Sequence, residues 1–319
     1  MRILIIGSRR RWRIESCFAR AFARAGHRTL VLDDRALSRT IGRSAAQRWV
    51  RLRTAAFRPD FVLLSKSLGL ELDTVAALVK DRDNAMWYSD AQWFPHIGTR
   101  KDIGHIAAVA RQAARLWLPA FVDEWRALGY DAHHLPFAGD RDIVPAPRDP
   151  SLAADVAFLG TGYDPDRARF LVALAKHVRV RVWGLGWAEW SNELDWAGHP
   201  VEGRAFAAVC SSAALTLGIT AAAARGNPFY TDRMFIAMLA GGCYLGEGGR
   251  DADRMLAGGE HCIWYESLDD CIARAKHYLA DSAARERIRA AGEHFVRAHH
   301  TYDQRVPHFL SGVPYLAPL

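Results

Sequence analysis

Cysteine is scarce and poorly placed for cross-linking. Cys17, Cys210, Cys243, Cys262 and Cys271 contain no C-x-x-C pair. This predicts neither a zinc site nor a disulfide frame, and suits a reducing compartment. Long apolar runs are also missing. Ile3 to Ile6 is only strand length and ends at Gly7 rather than at a cleavage site, so it reads as a buried strand and not as a secretory signal. Ala207 to Ala224 leans apolar but is broken by Ser211, Ser212, Thr216, Gly218 and Thr220, which predicts helix, strand and loop instead of a membrane span. There is no internal repeat and no low-complexity segment. The expected location is cytoplasmic, peripheral at the inner face of the membrane if a lipid surface is the partner.

Acids and lysine are nearly absent from the first segment. Residues 1–58 carry fifteen arginines, no lysine, and only Glu15, Asp33 and Asp34 as acids, a net +12 in a chain whose total is +7. The remainder is therefore about −5. Such asymmetry predicts an anionic partner for the first half: a phosphorylated acceptor, an anionic lipid surface or a nucleic acid. Solvated helices with an Arg-for-Lys bias give the same composition. Elsewhere the chain is ordinary. Half of its 319 residues are hydrophobic and 24% are charged, enough for two soluble domains.

Strand and helix patterns alternate from the start. Arg2 to Ile6, Thr29 to Leu32, Pro59 to Leu64, Ala85 to Tyr88, Leu116 to Leu118 and His133 to Leu135 read as strands. Ile14 to Ala25, Leu37 to Phe57, Leu70 to Val79 and Ala120 to Leu128 read as helices. After the Pro-rich segment 145–150 the alternation resumes with strands at 155–159, 178–183, 214–219, 243–245 and 261–264, helices at 167–176, 205–211 and 231–240, and two helices over about 268–298. The pattern predicts two parallel α/β units: residues 1–148, residues 149–300, and a tail at 301–319 whose helix returns to the first unit.

Two glycine turns follow strands in the second unit, Gly160-Thr161-Gly162 and Gly184-Leu185-Gly186. Glycine there lets backbone N–H groups approach a phosphate, or simply makes a plain βα turn. The richest stretch is Asn227-Pro-Phe-Tyr-Thr-Asp-Arg-Met-Phe-Ile-Ala-Met-Leu-Ala-Gly-Gly242. A polar turn opens a helix with Asp232 and Arg233 in its first turn and a Gly-Gly stop. A helix N-terminus favours an anion, and an arginine there adds a bidentate grip. In the first unit, Gly7-Ser8-Arg9-Arg10-Arg11-Trp12 follows the first strand, where cation and ring together suit a phosphate or a stacked ring.

These segments, in their order, resemble CgeB-type (spore-maturation type) glycosyltransferases. Asp155 to Arg167 resembles that family's "D-V-(A/S)-F-(V/I/L)-G-x-G-x-x-x-x-R". Val180 to Trp187 resembles its "V-(Y/W)-G-x-G-W", Gly198 to Gly203 its "G-x-V-x-G", Thr231 to Gly242 its "(S/T)-D-R" helix, and His300 to Arg305 its "H-T-Y-x-x-R". Ser65 to Asp90 resembles a first-domain pair of that family.

The resemblance implies a GT-B fold, two Rossmann-like domains facing a central cleft, with a UDP-, GDP- or dTDP-linked sugar as co-substrate and neither metal nor cofactor. Gly160, Thr161, Gly162, Arg167, Gly184, Trp187, Gly203, Tyr230, Asp232 and Arg233 are the implied donor residues. Ser8, Arg9 and Arg11 are placed on the acceptor side. Arg233 would offset leaving-group charge, and if the enzyme inverts, Asp90, with His96 as the second candidate, would serve as acceptor base. One departure stands out: relatives carry Glu where this chain has Ile236, and a partner acid where it has Pro228. An apolar residue cannot accept a ribose hydroxyl bond, so a catalytically silent sugar-nucleotide or glycan binder remains an alternative, and the +12 first segment keeps a nucleic-acid-modifying glycosyltransferase as another.

Overall fold

The computed structural model describes residues 1–92, 102–220, 230–248 and 252–316. The chain divides into two compact units, Met1–Pro136 with Tyr302–Tyr315, and Phe137–Thr301 as the bulk of the second.

The first unit runs β1 (Arg2–Ile6), α1 (Ile14–Arg24), β2 (Arg28–Leu32), α2 (Asp34–Ile41), α3 (Arg43–Phe57), β3 (Phe61–Leu64), α4 (Leu72–Val79), β4 (Asp83–Trp87), α5 (Ile103–Gln112), β5 (Leu116–Leu118), α6 (Val122–Ala127) and β6 (Ala132–His134). Its sheet is parallel, in the order β2-β1-β3-β4-β5-β6. β1 from Ile3 onward and all of β3 are apolar because helices cover both faces of such a sheet; Ile3 to Ile6 are all fully buried. The helix expected over 37–57 is two helices. Gly42, at φ 80°, ends α2 and opens α3, a conformation other residues adopt only with strain.

The second unit runs β7 (Val156–Leu159), α7 (Pro165–Ala175), β8 (Val180–Trp183), β9 (Asp195–Trp196), α8 (Arg204–Ser212), β10 (Leu215–Gly218), α9 (Asp232–Leu239), β11 (Tyr244–Glu247), α10 (Ala252–Met255), β12 (Ile263–Tyr265), α11 (Leu268–Ala280) and α12 (Ser282–His299). Its parallel sheet has the order β12-β11-β10-β7-β8-β9, the doubly wound order of dinucleotide-binding folds. The core beneath it joins Val156, Phe158, Leu171, Trp187, Leu217, Leu245 and Tyr265.

The Pro-rich segment 145–150 does not separate the units; the division falls upstream of it. The segment is anchored on the second unit, where Ser211 Oγ accepts from Ala146 N (3.1 Å), Ser212 Oγ accepts from Asp149 N (2.9 Å) and Arg148 pairs with Glu286 (2.6 Å). The tail forms α13 (Val306–Ser311) in the first unit, where Tyr302 and Phe309 pack edge-on against Phe18 of α1 at 4.8 and 5.0 Å between ring centres.

Candidate functional site

In a doubly wound sheet ligands bind beyond the carboxyl ends of the strands, where the winding reverses. In the second unit that point lies between β7 and β10, so the crevice is bounded by Gly160, by Gly218 and Ile219, and by the start of α9.

Two guanidinium groups converge there. Arg233, in the first turn of α9, lies 5.9 Å from the Phe158 ring centre, and a Cβ on Gly160 would come within 3.3 Å of its Cζ. Arg167, in the first turn of α7, lies 5.8 Å from the same ring and donates to Thr161 O at 3.1 Å. Phe158 thus places two positive charges beside one turn. Asp232 begins α9, and Thr231 precedes it in extended conformation without making a side-chain cap. A bound anion can supply the acceptor that the cap does not. Ile236, one turn after Arg233, shares its side of the helix.

The glycine turns act differently from the expectation that their N–H groups meet a phosphate. Gly160 N donates to Trp183 O and Gly162 N to Leu185 O, both at 2.8 Å, and Gly184 N donates to His199 O at 3.1 Å. The Gly160 and Gly162 donors continue the β7–β8 ladder beyond the strands, and the Gly184 donor is spent on the segment that follows β9. Their approach explains the glycine: a Cβ on Gly184 would stand 1.9 Å from Gly160 O.

Trp187, one of the implied donor residues, is fully buried and donates Nε1–H to Gly160 O at 2.8 Å. It holds the turn from below. Gly203 caps the start of α8 at φ 59°. Tyr230 lies 6.2 Å from Trp264, ring centre to ring centre.

Tyr244 and Glu247 were not singled out from the sequence, although they sit at this tip. A Cβ on Gly218 would meet Tyr244 Oη at 1.8 Å, so this phenol occupies the end of β10. Burial raises its pKa, with the charge of nearby Arg233 acting in the opposite sense, and Tyr244 is a neutral hydroxyl at physiological pH. Glu247 Oε2 accepts from Thr220 N at 3.0 Å. The signal was faint because Tyr244 reads as a routine strand aromatic.

Thiol chemistry is out of reach at this site. Burial pushes Cys210 and Cys271 to about 12 and Cys243 to about 11, so they stay protonated at neutral pH. Among the described residues no cluster of His, Cys, Asp and Glu has the makings of a metal site, and no helix is long and apolar enough to cross a membrane.

The first unit's switch point, between β1 and β3, is built otherwise. Glu15 reaches into it: Ser65 Oγ donates to Glu15 Oε1 at 2.8 Å, and a Cβ on Gly7 would lie 2.4 Å from Glu15 Cγ. Ser8 accepts from Arg10 N and from Ser16 Oγ, through its side chain and its carbonyl respectively, and Arg9 N donates to Asp33. Arg9 and Arg11 are exposed, with the Arg11 guanidinium 5.0 Å from the Trp12 ring. Asp90 follows β4 and forms a 2.5 Å ion pair with Lys66; Ser89 Oγ donates to its other oxygen at 3.2 Å. His96, Asn227 and Pro228 lie outside the described residues.

Residues 167–311 match the family model of glycosyl transferase-like proteins. No curated protein matches the chain by sequence. Among solved structures, HepE of Anabaena in complex with UDP-glucose superposes with a TM-score of 0.66 over 98% of this chain and 100% of that one, at 12% identity. Sucrose-phosphate synthase of Thermosynechococcus elongatus gives 0.64 over 98% and 97%, at 10% identity. The pneumococcal O-GlcNAc transferase GtfA, in complex with UDP and GlcNAc, gives 0.53 over 83% and 59%, at 9%. The fold is GT-B, with two doubly wound α/β units, and the second unit holds most of the glycosyl transferase-like region.

Proposed function

We propose that the protein is a nucleotide-sugar-dependent glycosyltransferase of the CgeB type. The carrying observation is the convergence of Arg167 and Arg233 on the Phe158 ring and the Gly160 turn, at the switch point of the second sheet and beside the start of α9, where the Thr231 side chain makes no cap. As the sugar leaves, negative charge grows on the diphosphate. Guanidinium donors fixed in place stabilise that charge without reorganising, by several kcal/mol. They do the work a divalent cation does in other transferases, and the reaction proceeds without one. The nucleotide complexes of HepE and GtfA make UDP the first donor nucleotide to test, ahead of GDP and dTDP.

The acceptor is anionic or surface-bound and uses the first unit, with Ser8, Arg9 and Arg11 on its side. Asp90 takes the acceptor proton after exchanging its Lys66 partner for the substrate hydroxyl. Binding of UDP and of uridine to Arg233→Ala tests the donor half. Diphosphate binding falls by about 1.5–3 kcal/mol, as for a lost charge-assisted hydrogen bond, while uridine binding is unchanged. Equal losses would make Arg233 structural and remove the support for this reading.

A second reading is favoured by one residue. Ile236 cannot hold a ribose hydroxyl, which suits a binder that no longer turns over. Donor hydrolysis in a panel of nucleotide sugars separates the two: slow release of free sugar supports the enzyme, and binding without release supports the binder.

A further inference from the structure

The largest concentration of like charge is not at either switch point. It lies on α2 and α3, far along the chain from the donor residues. From Arg35 to Pro59 there is no acidic residue, while Arg35, Arg39, Arg43, Arg48, Arg51, Arg53 and Arg58 are all exposed. Little of that charge is neutralised within the molecule. Arg43 stands 3.7 Å from Glu71 with both side chains more than half exposed, a pair of small value. Arg51 donates to Thr74 Oγ1, which carries no charge.

Charge alone describes any polyanion site. The helix surface says more. On α3 the buried residues are Ala46, Gln47, Val50 and Thr54, which share one side at helical spacing. The opposite side carries Ala45, Trp49, Leu52 and Ala56, an apolar stripe with Arg48 at one edge and Arg53 at the other. Leu52 is 70% exposed, and Ile41, at the corner between α2 and α3, is 44% exposed. Arg53 stacks on Trp49 at 5.3 Å, pairing a cation with an amphipathic ring.

An outward helix with an apolar centre, basic edges and no acid is the pattern of a helix that lies in the plane of a lipid interface. Its long arginine stems cover apolar surface while their heads stay at headgroup level. Contacts to nucleic-acid phosphates would use the arginines and leave the apolar stripe between them in water.

We propose that α2 and α3 form a docking surface for an anionic lipid bilayer, with Leu52 and Ile41 entering the headgroup–acyl boundary and Arg48 and Arg53 contacting lipid phosphates. The surface is built entirely from the first unit and does not depend on the donor site, so it stands or falls separately from the proposed activity.

The experiment is sedimentation of the full chain with vesicles of phosphatidylcholine alone and of phosphatidylcholine mixed with phosphatidylglycerol, at physiological salt. The wild type sediments only with the mixed vesicles. Arg48→Glu with Arg53→Glu weakens that binding by more than about tenfold, since each arginine near an anionic surface contributes roughly fivefold. Leu52→Asp weakens it too, and Leu52→Trp strengthens it. UDP binding and thermal melting of each variant verify that it is folded.

All five native cysteines are buried, so a polarity-sensitive dye on Ala56→Cys reports this face selectively. Its emission shifts to the blue with mixed vesicles and stays put with a nucleic-acid duplex. The proposal is overturned if the wild type ignores mixed vesicles. It is equally overturned if the charge reversals act while both Leu52 variants bind like wild type, or if a duplex competes the vesicles away, since those results describe a polyanion site.

Discussion

Two sheets of the same kind, wound around equivalent switch points, end in opposite chemistry. In the second unit the crevice meets Arg167, Arg233 and a helix start without a side-chain cap. In the first, the corresponding place is entered by the Glu15 carboxylate, held by Ser65. A carboxylate there repels phosphate and takes a position that an anion would need. The topology therefore supplies two crevices, and the side chains line one with guanidinium groups and the other with a carboxylate. The first unit's arginines are elsewhere, on the turn after β1 and on α2 and α3, so its positive charge belongs to its surface and not to its switch point.

The largest effect expected from probing this difference concerns the support of the second crevice. Trp187→Ala removes a fully buried side chain and the bond to Gly160 O, and should cost about 3–5 kcal/mol of stability in chemical denaturation. Trp187→Phe keeps the aromatic packing but loses the hydrogen bond and part of the ring volume, so it should cost less, about 1–3 kcal/mol, and loosen the turn that Arg167 and Arg233 flank. If Trp187→Phe leaves UDP affinity untouched, the turn is not part of the donor site.

Next in size is the direct contrast of charges. Arg233→Ala should lower UDP affinity by the 1.5–3 kcal/mol of a charge-assisted contact, while Glu15→Gln should leave it unchanged. A comparable loss from Glu15→Gln, measured by calorimetry, would mean that the first crevice also serves the nucleotide.

A smaller effect sharpens the question of Ile236. Ile236→Glu returns a carboxylate one turn from Arg233, on the same side of α9. Uridine and UDP should both bind more tightly, by about 1 kcal/mol, if the ribose passes this position. Unchanged affinity for both would place the ribose elsewhere, with Tyr244 and Glu247 as the polar groups to examine.

Much of this was legible in the residues. Strict alternation of strand and helix gave both parallel sheets, because strands buried on both faces must be apolar and each needs a covering helix. The order of turns placed Arg233 and Gly160 in one unit. Three things were hidden. β9 is two residues long and carries no periodicity. The break between α2 and α3 rests on Gly42 alone, inside an otherwise continuous helical pattern. The role of the glycine turns depended on where their N–H groups point: the sequence shows that glycine is needed, not that the need is the close approach of two turns. Trp187 was ambiguous for a related reason, since aromatic character does not tell a pocket wall from a support beneath it.

The smallest expected effect separates the units by pH. Burial holds the His134 imidazole of the first unit below its ordinary value of 6.5, the acceptor Pro119 O opposes that shift, and the charge of Arg305 adds to it. His261 of the second unit is lowered in the same way, chiefly by burial. A histidine whose folded pKa is depressed binds fewer protons folded than unfolded. Its contribution is fully present above 6.5 and is lost as pH falls towards the folded value, so the stability of both units should decline on acidification below that point. His134→Gln should flatten the decline for the first unit only, and UDP, which stabilises only what binds it, should raise the second unit's transition without changing the first unit's slope. Urea titrations followed above and below pH 6.5, with and without UDP, measure both. Parallel pH profiles for wild type and His134→Gln would show that His134 does not carry the acid sensitivity, and a UDP effect on the first unit's transition would show that the two crevices are not energetically separate.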